Sequence, residues 1–200
     1  MKNKILKLAT GLKVVALVVF SSFNLSSCST DEASTNETAN VSASLERRTP
    51  AKGTTSIAGI ASNAGFNELV SALVYVDSEL NTGLVNLFAN GKDQYTVFAP
   101  TDQAFQNLYA ALKVNSITEL PAPLVRDVLL YHVTEGRRAA NSVVPKNGNR
   151  TITTLLGSQF SVTPKGSINA IGNTANITTA NISASNGIIH VIDTVLLPLK

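Results

Sequence analysis

The sequence predicts one α+β domain, with helices in its first half and strands in its second half. Between residues 66 and 132, apolar side chains recur at helical spacing in several segments. After Gly136 the pattern changes to short extended runs that are separated by Gly, Asn, Ser and Pro. Isoleucine and alanine keep recurring through these runs, which favours strands with one solvent-facing side over disorder.

Two helices are predicted near the start of this domain. Residues 66–74 carry apolar side chains at i, i+3, i+4, i+7 and i+8, which form the single stripe of a helix packed on a core. Leucines within residues 80–87 indicate a second, short helix. It should end near Asn90 and Gly91, because both residues accept positive φ.

The segment YTVFAP, residues 95–100, predicts a strand that Pro100 ends. Thr101 is placed to cap the following helix, and Asp102 lies in its first turn, where the helix dipole favours a negative charge. Apolar residues at helical spacing continue through residues 105–112. A strand, a turn and a helix are therefore expected in direct succession.

Another helix should start at the prolines Pro121 and Pro123. Its apolar stripe runs through residues 125–132 and includes His132, one of two histidines in the chain. His132 is therefore expected on the buried face of this helix.

Five extended runs follow in the second half of the chain. In the last of them, strand alternation places His190 on the face opposite to Ile189 and Val191. The runs are residues 151–156, 159–163, 167–172, 175–179 and 187–198.

The first 27 residues resemble the signal peptide of a bacterial lipoprotein. A lysine-bearing start precedes an apolar stretch, residues 12–20, that is too short to span a bilayer. Residues 25–28, Leu-Ser-Ser-Cys, match the lipobox pattern of leucine and two small residues before a cysteine. The resemblance implies cleavage before Cys28 and lipidation of that residue, which would anchor the protein at the outer membrane.

Residues 28–52 are predicted to form a flexible tether, because they hold few large apolar groups to offset the entropy of ordering. Asp31 and Glu32 resemble the acidic surface-export signals of some bacterial lipoproteins. Exposure on the cell surface and a periplasm-facing position therefore both stay open. Residues 53–200 then form the folded domain.

Composition excludes several classes of function. Loss of residues 1–27 removes four lysines and no acidic residue. The mature chain then holds 12 basic and 13 acidic residues, so its net charge is about −1. Such a chain offers no basic surface for nucleic acid. A single cysteine allows no internal disulfide and no zinc site of the cysteine type. No metal and no cofactor is predicted.

Three segments together resemble the fasciclin-like (FAS1) domain family. YTVFAPTDQAF is similar to its first signature, LLYHV to its central Tyr-His element, and ASNGIIHVIDTVLLP to its second signature. Their order and separations also fit, over about residues 54–198. The resemblance implies helices packed along a wedge of β-sheets formed largely by the C-terminal half, and a role in adhesion or recognition.

The resemblance also assigns candidate binding residues. Tyr131 and His132 stand at the Tyr-His element, and Asn181 and Ile182 stand where many relatives carry Asp-Ile. The missing carboxylate weighs against an integrin-type contact through a metal ion, because an amide is a weaker ligand for a hard cation. Thr101, Asp102, His132 and His190 are the expected structural residues of the motifs.

His132 is interpreted as a structural residue and not as a catalytic base. The chain holds no G-x-S-x-G or H-E-x-x-H pattern and no phosphate-binding glycine loop. A buried imidazole needs fixed hydrogen-bond partners, and Asp102 is the predicted one.

The sequence predicts a non-enzymatic adhesion or recognition module that binds an extracellular protein, a matrix component or a glycan. The alternative is an accessory glycan-binding lipoprotein in polysaccharide uptake. The absence of tryptophan counts against that alternative, because aromatic faces are the usual platforms for sugars.

Overall fold

Helices predominate in the first half of the described chain, which also holds one strand, and strands predominate in the second half. The computed structural model describes residues 50–199, so the predicted signal peptide, Cys28 and most of the predicted tether lie outside the described residues. The helices are α1 (Ile57–Asn63), α2 (Asn67–Leu80), α3 (Leu84–Asn90), α4 (Asp102–Leu112), α5 (Ala122–Tyr131) and α6 (Ala140–Val143), with a 3-10 helix at Ile117–Glu119. The strands are β1 (Tyr95–Pro100), β2 (Val133–Glu135), β3 (Arg150–Thr153), β4 (Gln159–Val162), β5 (Ser167–Asn169), β6 (Thr174–Ala184) and β7 (Gly187–Ile192).

The strands form a sheet in the order β2-β1-β7-β6-β5-β4-β3. Strand β1 pairs with β7 in parallel, and the other neighbours pair antiparallel. The α+β prediction is therefore confirmed. The two segments of the sequence that resemble family signatures, β1 and β7, lie side by side.

Strand β6 is irregular and pairs with two neighbours along different parts of its length. Its first residues, Thr174 to Asn176, pair with β5, whereas its residues from Ile177 onwards pair with β7. The register with β7 shifts twice, between Ile177 and Thr179 and between Thr179 and Ile182. Bulges of this kind increase local twist and redirect a strand. Strand β6 thus joins the β3–β5 region to the central pair of β1 and β7.

Strands β1 and β7 are buried on both faces. On one face, Val97 and Ile189 belong to a core that the helices cover. On the other face, Phe98 belongs to a second core, in which its ring meets Phe160 edge to face at 5.1 Å between centroids. Burial on both faces explains why these two strands carry nearly continuous apolar runs.

The predicted helices are confirmed, with one difference in their boundaries. Leu80 closes α2 and does not open α3, because Asn81 takes the left-handed conformation and ends the helix. The carboxylate of Asp77 then accepts the backbone N–H groups of Leu84 and Val85 at 2.9 and 2.8 Å, which caps α3. The predicted N-cap is also present, since Thr101 Oγ1 accepts the N–H of Ala104.

Candidate functional site

The Tyr-His element lies at the end of α5, at the boundary between the two cores. Tyr131 is 0% exposed, and its hydroxyl donates to the carbonyl of Gln159 at 3.0 Å and accepts the N–H of Ile171 at 3.3 Å. Its ring packs edge to face against Phe160. The prediction of Tyr131 as a surface contact is wrong, because neither its ring nor its hydroxyl reaches solvent.

His132 joins α5 to the C-terminal segment of the chain. Its Nε2 accepts the backbone N–H of Leu196 at 2.9 Å, and its Nδ1 lies 2.7 Å from the carbonyl of Val128. Because a backbone N–H can only donate and a carbonyl can only accept, the ring proton must be on Nδ1. Both nitrogens of this buried ring are therefore used, and His132 cannot contact a partner either.

The predicted partner of His132 was wrong. The carboxylate of Asp102 instead accepts the N–H of Glu68 and the side-chain amide of Asn67, each at 3.0 Å. These donors belong to the first turn of α2, where a helix leaves its N–H groups free. Asp102 therefore ties α4 to α2, and backbone groups satisfy the imidazole.

The environment of His132 keeps its ring neutral. Burial lowers the pKa of His132 to about 4, and its hydrogen bond to Val128 opposes this only in part. The ring borders a cavity of about 30 Å³ whose other lining residues are apolar. A water molecule there would find few partners. His132 thus lacks the access to substrate and the tuned pKa that a general base needs.

His190 lies on β7 and, like His132, is buried. Its Nδ1 accepts the N–H of Asn181 at 3.3 Å, so its Nε2 carries the proton and donates to the carbonyl of Arg138 at 2.9 Å. The ring is 0% exposed and packs beside Phe98, on the face opposite to Ile189 and Val191 as alternation predicts. Burial also lowers the pKa of His190. His190 fixes the irregular part of β6 against the sheet.

Asn181 is the candidate binding residue that the structure leaves exposed, whereas Ile182 is half-buried against the helical core. Asn181 has φ of 67°, a left-handed conformation that asparagine tolerates better than most residues. Its Oδ1 accepts the N–H of Ala140 at 2.7 Å at the start of α6. Asn181 therefore shapes the bulge as well as facing solvent.

Replacing Asn181 by alanine should lower the free energy of unfolding by about 2 kcal/mol, because the left-handed backbone becomes strained and the N–H of Ala140 loses its acceptor. Asn181→Asp places a carboxylate at this position and should change stability by less than about 0.5 kcal/mol, since aspartate supplies the same acceptor and tolerates the same φ. Urea denaturation of both variants provides the measurement. Equal losses in both variants would contradict this role for the side chain.

Arg137 was not predicted as a functional or structural residue, and the structure shows that it is a central anchor of the fold. Its guanidinium donates to the carbonyls of Ala184 and Gly187 and, on the other side, to those of Pro50 and Ala51. The end of the predicted tether, from Pro50, is therefore bound to the fold and not free. A pair of arginines after a glycine, Arg137 and Arg138, matches no motif, so only the position of Arg137 in the fold reveals this role.

A polar cleft of about 280 Å³ lies beside the edge strand β2. Glu135 and Arg138 contribute opposite charges to its lining. The hydroxyl of Thr134 donates to the carbonyl of Thr153, so this lining group is already partnered. The cleft can offer a carboxylate and a guanidinium to a polar ligand.

Residues 50–199 bring together no group of three or more His, Cys, Asp or Glu side chains that could hold a metal ion. The longest helix in this range, α2, has 14 residues. None of the helices there has the length and apolar character required to cross a bilayer.

Comparison with known proteins decides the family. The model of the fasciclin domain matches residues 64–198, which is most of the chain. The chain belongs to the fasciclin domain family. Its pairing of β1 with β7 therefore brings together the two signature segments of a fasciclin domain.

Among curated relatives, the immunogenic protein MPB70 of Mycobacterium bovis is 36% identical over 137 residues, which are 66% of this chain and 64% of that protein. The cell surface glycolipoprotein MPB83 of Mycobacterium bovis is 32% identical over 142 residues, which are 70% of this chain and 60% of that protein. This fasciclin-domain chain thus spans less than two thirds of the length of both relatives.

A solved structure of a FAS1 domain pair from the insect cell adhesion molecule fasciclin I aligns with a TM-score of 0.49. The two sequences are 17% identical, and the alignment covers 67% of this chain and 46% of the other.

Proposed function

We propose that this fasciclin-domain protein is a non-enzymatic recognition module of the cell envelope that binds an extracellular protein partner through its surface. The observation that carries the proposal is the state of the two histidines. Both rings are buried and neutral, and backbone groups occupy all four ring nitrogens. The two histidines, which are the motif residues best suited to acid–base catalysis, therefore have a structural role.

The proposal includes a lipid anchor on Cys28 at the outer membrane, either facing the periplasm or exposed on the cell surface. The lipobox-like residues before Cys28 support it, and so does the similarity to MPB83, whose name describes a cell surface glycolipoprotein.

A protein partner is favoured over polysaccharide, because residues 50–199 present no open aromatic face for stacking on a sugar. Every phenylalanine in this range is buried, as are Tyr95, Tyr109 and Tyr131. Tyr75 is half-buried, and its hydroxyl donates to the carbonyl of Leu120 at 2.9 Å. The polar cleft at Glu135 and Arg138 is the feature that supports glycan binding as the second candidate function.

The anchor and the adhesive role can be tested in one set of strains. Cells that produce the wild-type chain should incorporate radiolabelled palmitate into the protein and retain it in the outer-membrane fraction, whereas the Cys28→Ser variant should be unlabelled and soluble. Protease treatment of intact cells then distinguishes surface exposure from a periplasm-facing position.

Attachment of the same cells to surfaces coated with matrix proteins should fall on deletion of the gene and on Cys28→Ser. The double variant Glu135→Gln, Arg138→Gln separates the two candidate functions. It should leave attachment to protein unchanged, but it should abolish attachment to polysaccharide if the cleft binds glycan. Unchanged attachment of the deletion strain to every coating would contradict both functions.

A further inference from the structure

An apolar groove of about 240 Å³ opens between α2, α4, α5 and the C-terminal segment after β7. Its floor includes Ala72, Val125 and Val195, which are 0%, 3% and 1% exposed. Its rim includes Leu112 and Leu199, which are 47% and 61% exposed. Leu112 and Leu199 are two of the four large apolar side chains that residues 50–199 leave exposed. The groove therefore reaches from solvent into the helical core.

The lining of the groove determines what can enter it. Every residue that lines it is aliphatic, apart from the ring of Phe105 and the ring of Pro198. No hydroxyl, amide or charged side chain is present in the lining. A peptide backbone inserted there would leave its N–H and C=O groups without partners, at a cost of a few kcal/mol for each group. A hydrocarbon chain carries no such groups.

A basic residue adjoins the rim of the groove in sequence. Lys113 directly follows Leu112, is exposed, and forms no ion pair with any residue in the described part of the chain. Within residues 50–199, the other charged residues that adjoin lining positions in sequence have partners: Glu119 accepts from Asn115, and Arg126 pairs with Asp127. An anionic head group at the mouth would therefore meet an available cation.

We propose that this groove binds the hydrocarbon chain of a free fatty acid, with the carboxylate at the mouth beside Lys113. Protein interiors rarely leave voids larger than a water molecule, and a cavity lined by leucine and other aliphatic groups stays dry and accepts apolar molecules. The groove belongs to the folded domain, and the proposed ligand is a free fatty acid and not the predicted lipid on Cys28. The proposal is thus independent of the anchor and of the adhesive role.

Calorimetric titration of octanoate, decanoate and dodecanoate tests the proposal, with the full chain carrying Cys28→Ser so that no protein-bound lipid competes. One molecule should bind per chain. The affinity should rise about fourfold for each added methylene, which corresponds to about 0.8 kcal/mol of burial, until the groove is full. Binding that does not depend on chain length, or that involves several molecules per chain, would overturn the proposal.

Two variants of the lining test the location. Val128→Trp, at a half-buried lining position, should fill the groove and abolish binding. Leu112→Ser at the rim should weaken binding about tenfold, corresponding to about 1.4 kcal/mol. Val74→Ser is the matched control, because Val74 is 53% exposed and does not line the groove. Dodecanoate affinity that is equal in Leu112→Ser and Val74→Ser would place the site elsewhere, even if Val128→Trp failed to fold.

The contact between Lys113 and the carboxylate is tested by comparing a charged ligand with an uncharged one. Lys113→Gln should weaken binding of dodecanoate severalfold and leave binding of dodecanol unchanged, because only the carboxylate loses an ionic partner. Equal effects on both ligands would overturn the role of Lys113.

A photoactivatable fatty acid supplied to living cells identifies the natural source of the hydrocarbon chain in the groove. The expected result is a crosslink to α4 or α5 in both the wild-type and the Cys28→Ser chain. A crosslink that joins the groove to the lipid on Cys28 itself would show that the protein binds its own anchor, and it would overturn the proposal of a free fatty acid.

Discussion

Lowering the pH from 7 to 4.5 should reduce the free energy of unfolding by about 2 kcal/mol through His132 alone. The unfolded chain binds a proton on this ring below its ordinary pKa of 6.5, whereas burial lowers the pKa of the folded state to about 4. Unfolding therefore takes up a proton in this window, and acid favours the unfolded state. His190, whose pKa burial also lowers, adds to the loss in the same direction.

Urea denaturation at several pH values measures this effect, and His132→Gln is the variant that isolates it. Glutamine offers Leu196 an acceptor but does not titrate, so the variant should be less stable at neutral pH and should lose less stability in acid. If the two proteins lost equal stability between pH 7 and 4.5, His132 would not be the group that takes up the proton.

Replacing Asn186 by alanine should lower the free energy of unfolding by about 4 kcal/mol. Asn186 is 4% exposed, its Oδ1 accepts the N–H of Ile57 at 2.8 Å, and its Nδ2 donates to the carbonyl of Phe88 at 2.9 Å. Both backbone groups would lose their partners inside the fold, and each such loss costs about 1–3 kcal/mol. The link between α1, α3 and the start of β7 would also be broken.

Asn90→Ala provides the control for this prediction. Its amide donates to Asn86 at 2.9 Å at an exposed position, so solvent replaces the lost partner and the change should stay within about 0.5 kcal/mol. Thermal and urea denaturation of the two variants give the comparison. A loss below about 1 kcal/mol for Asn186→Ala would show that water satisfies the buried groups.

Local sequence patterns were sufficient to predict the main elements of the fold. The stripe in α2, the cap at Thr101 and the apolar runs of β1 and β7 depend on neighbours in sequence, and the structure contains all of them. Helix α1 was not predicted, because it is short and contains Gly59. Strand β2 has three residues, too few to show alternation.

The contacts of the motif residues were harder to predict, because they depend on how distant segments meet. His132 was correctly expected to be buried, but its actual partner, the N–H of Leu196, lies 64 residues away. A side-chain acceptor such as Asp102 is easier to propose from sequence than a backbone group. The burial of Tyr131 has a similar origin, since Phe160 and Gln159 cover it from the second half of the chain.

The hydrogen bonds of Arg137 should determine where a pulling force on the N-terminal segment enters the folded domain. A pull on the chain ahead of Pro50 is transmitted through Ala51, whose carbonyl is bonded to both Arg137 and Ser183. Because Arg137 also donates hydrogen bonds to the carbonyls of Ala184 and Gly187, the force should pass to the turn between β6 and β7 and into the middle of the sheet. Tension at the N-terminal end should therefore reach the sheet before it reaches the helices that line the apolar groove.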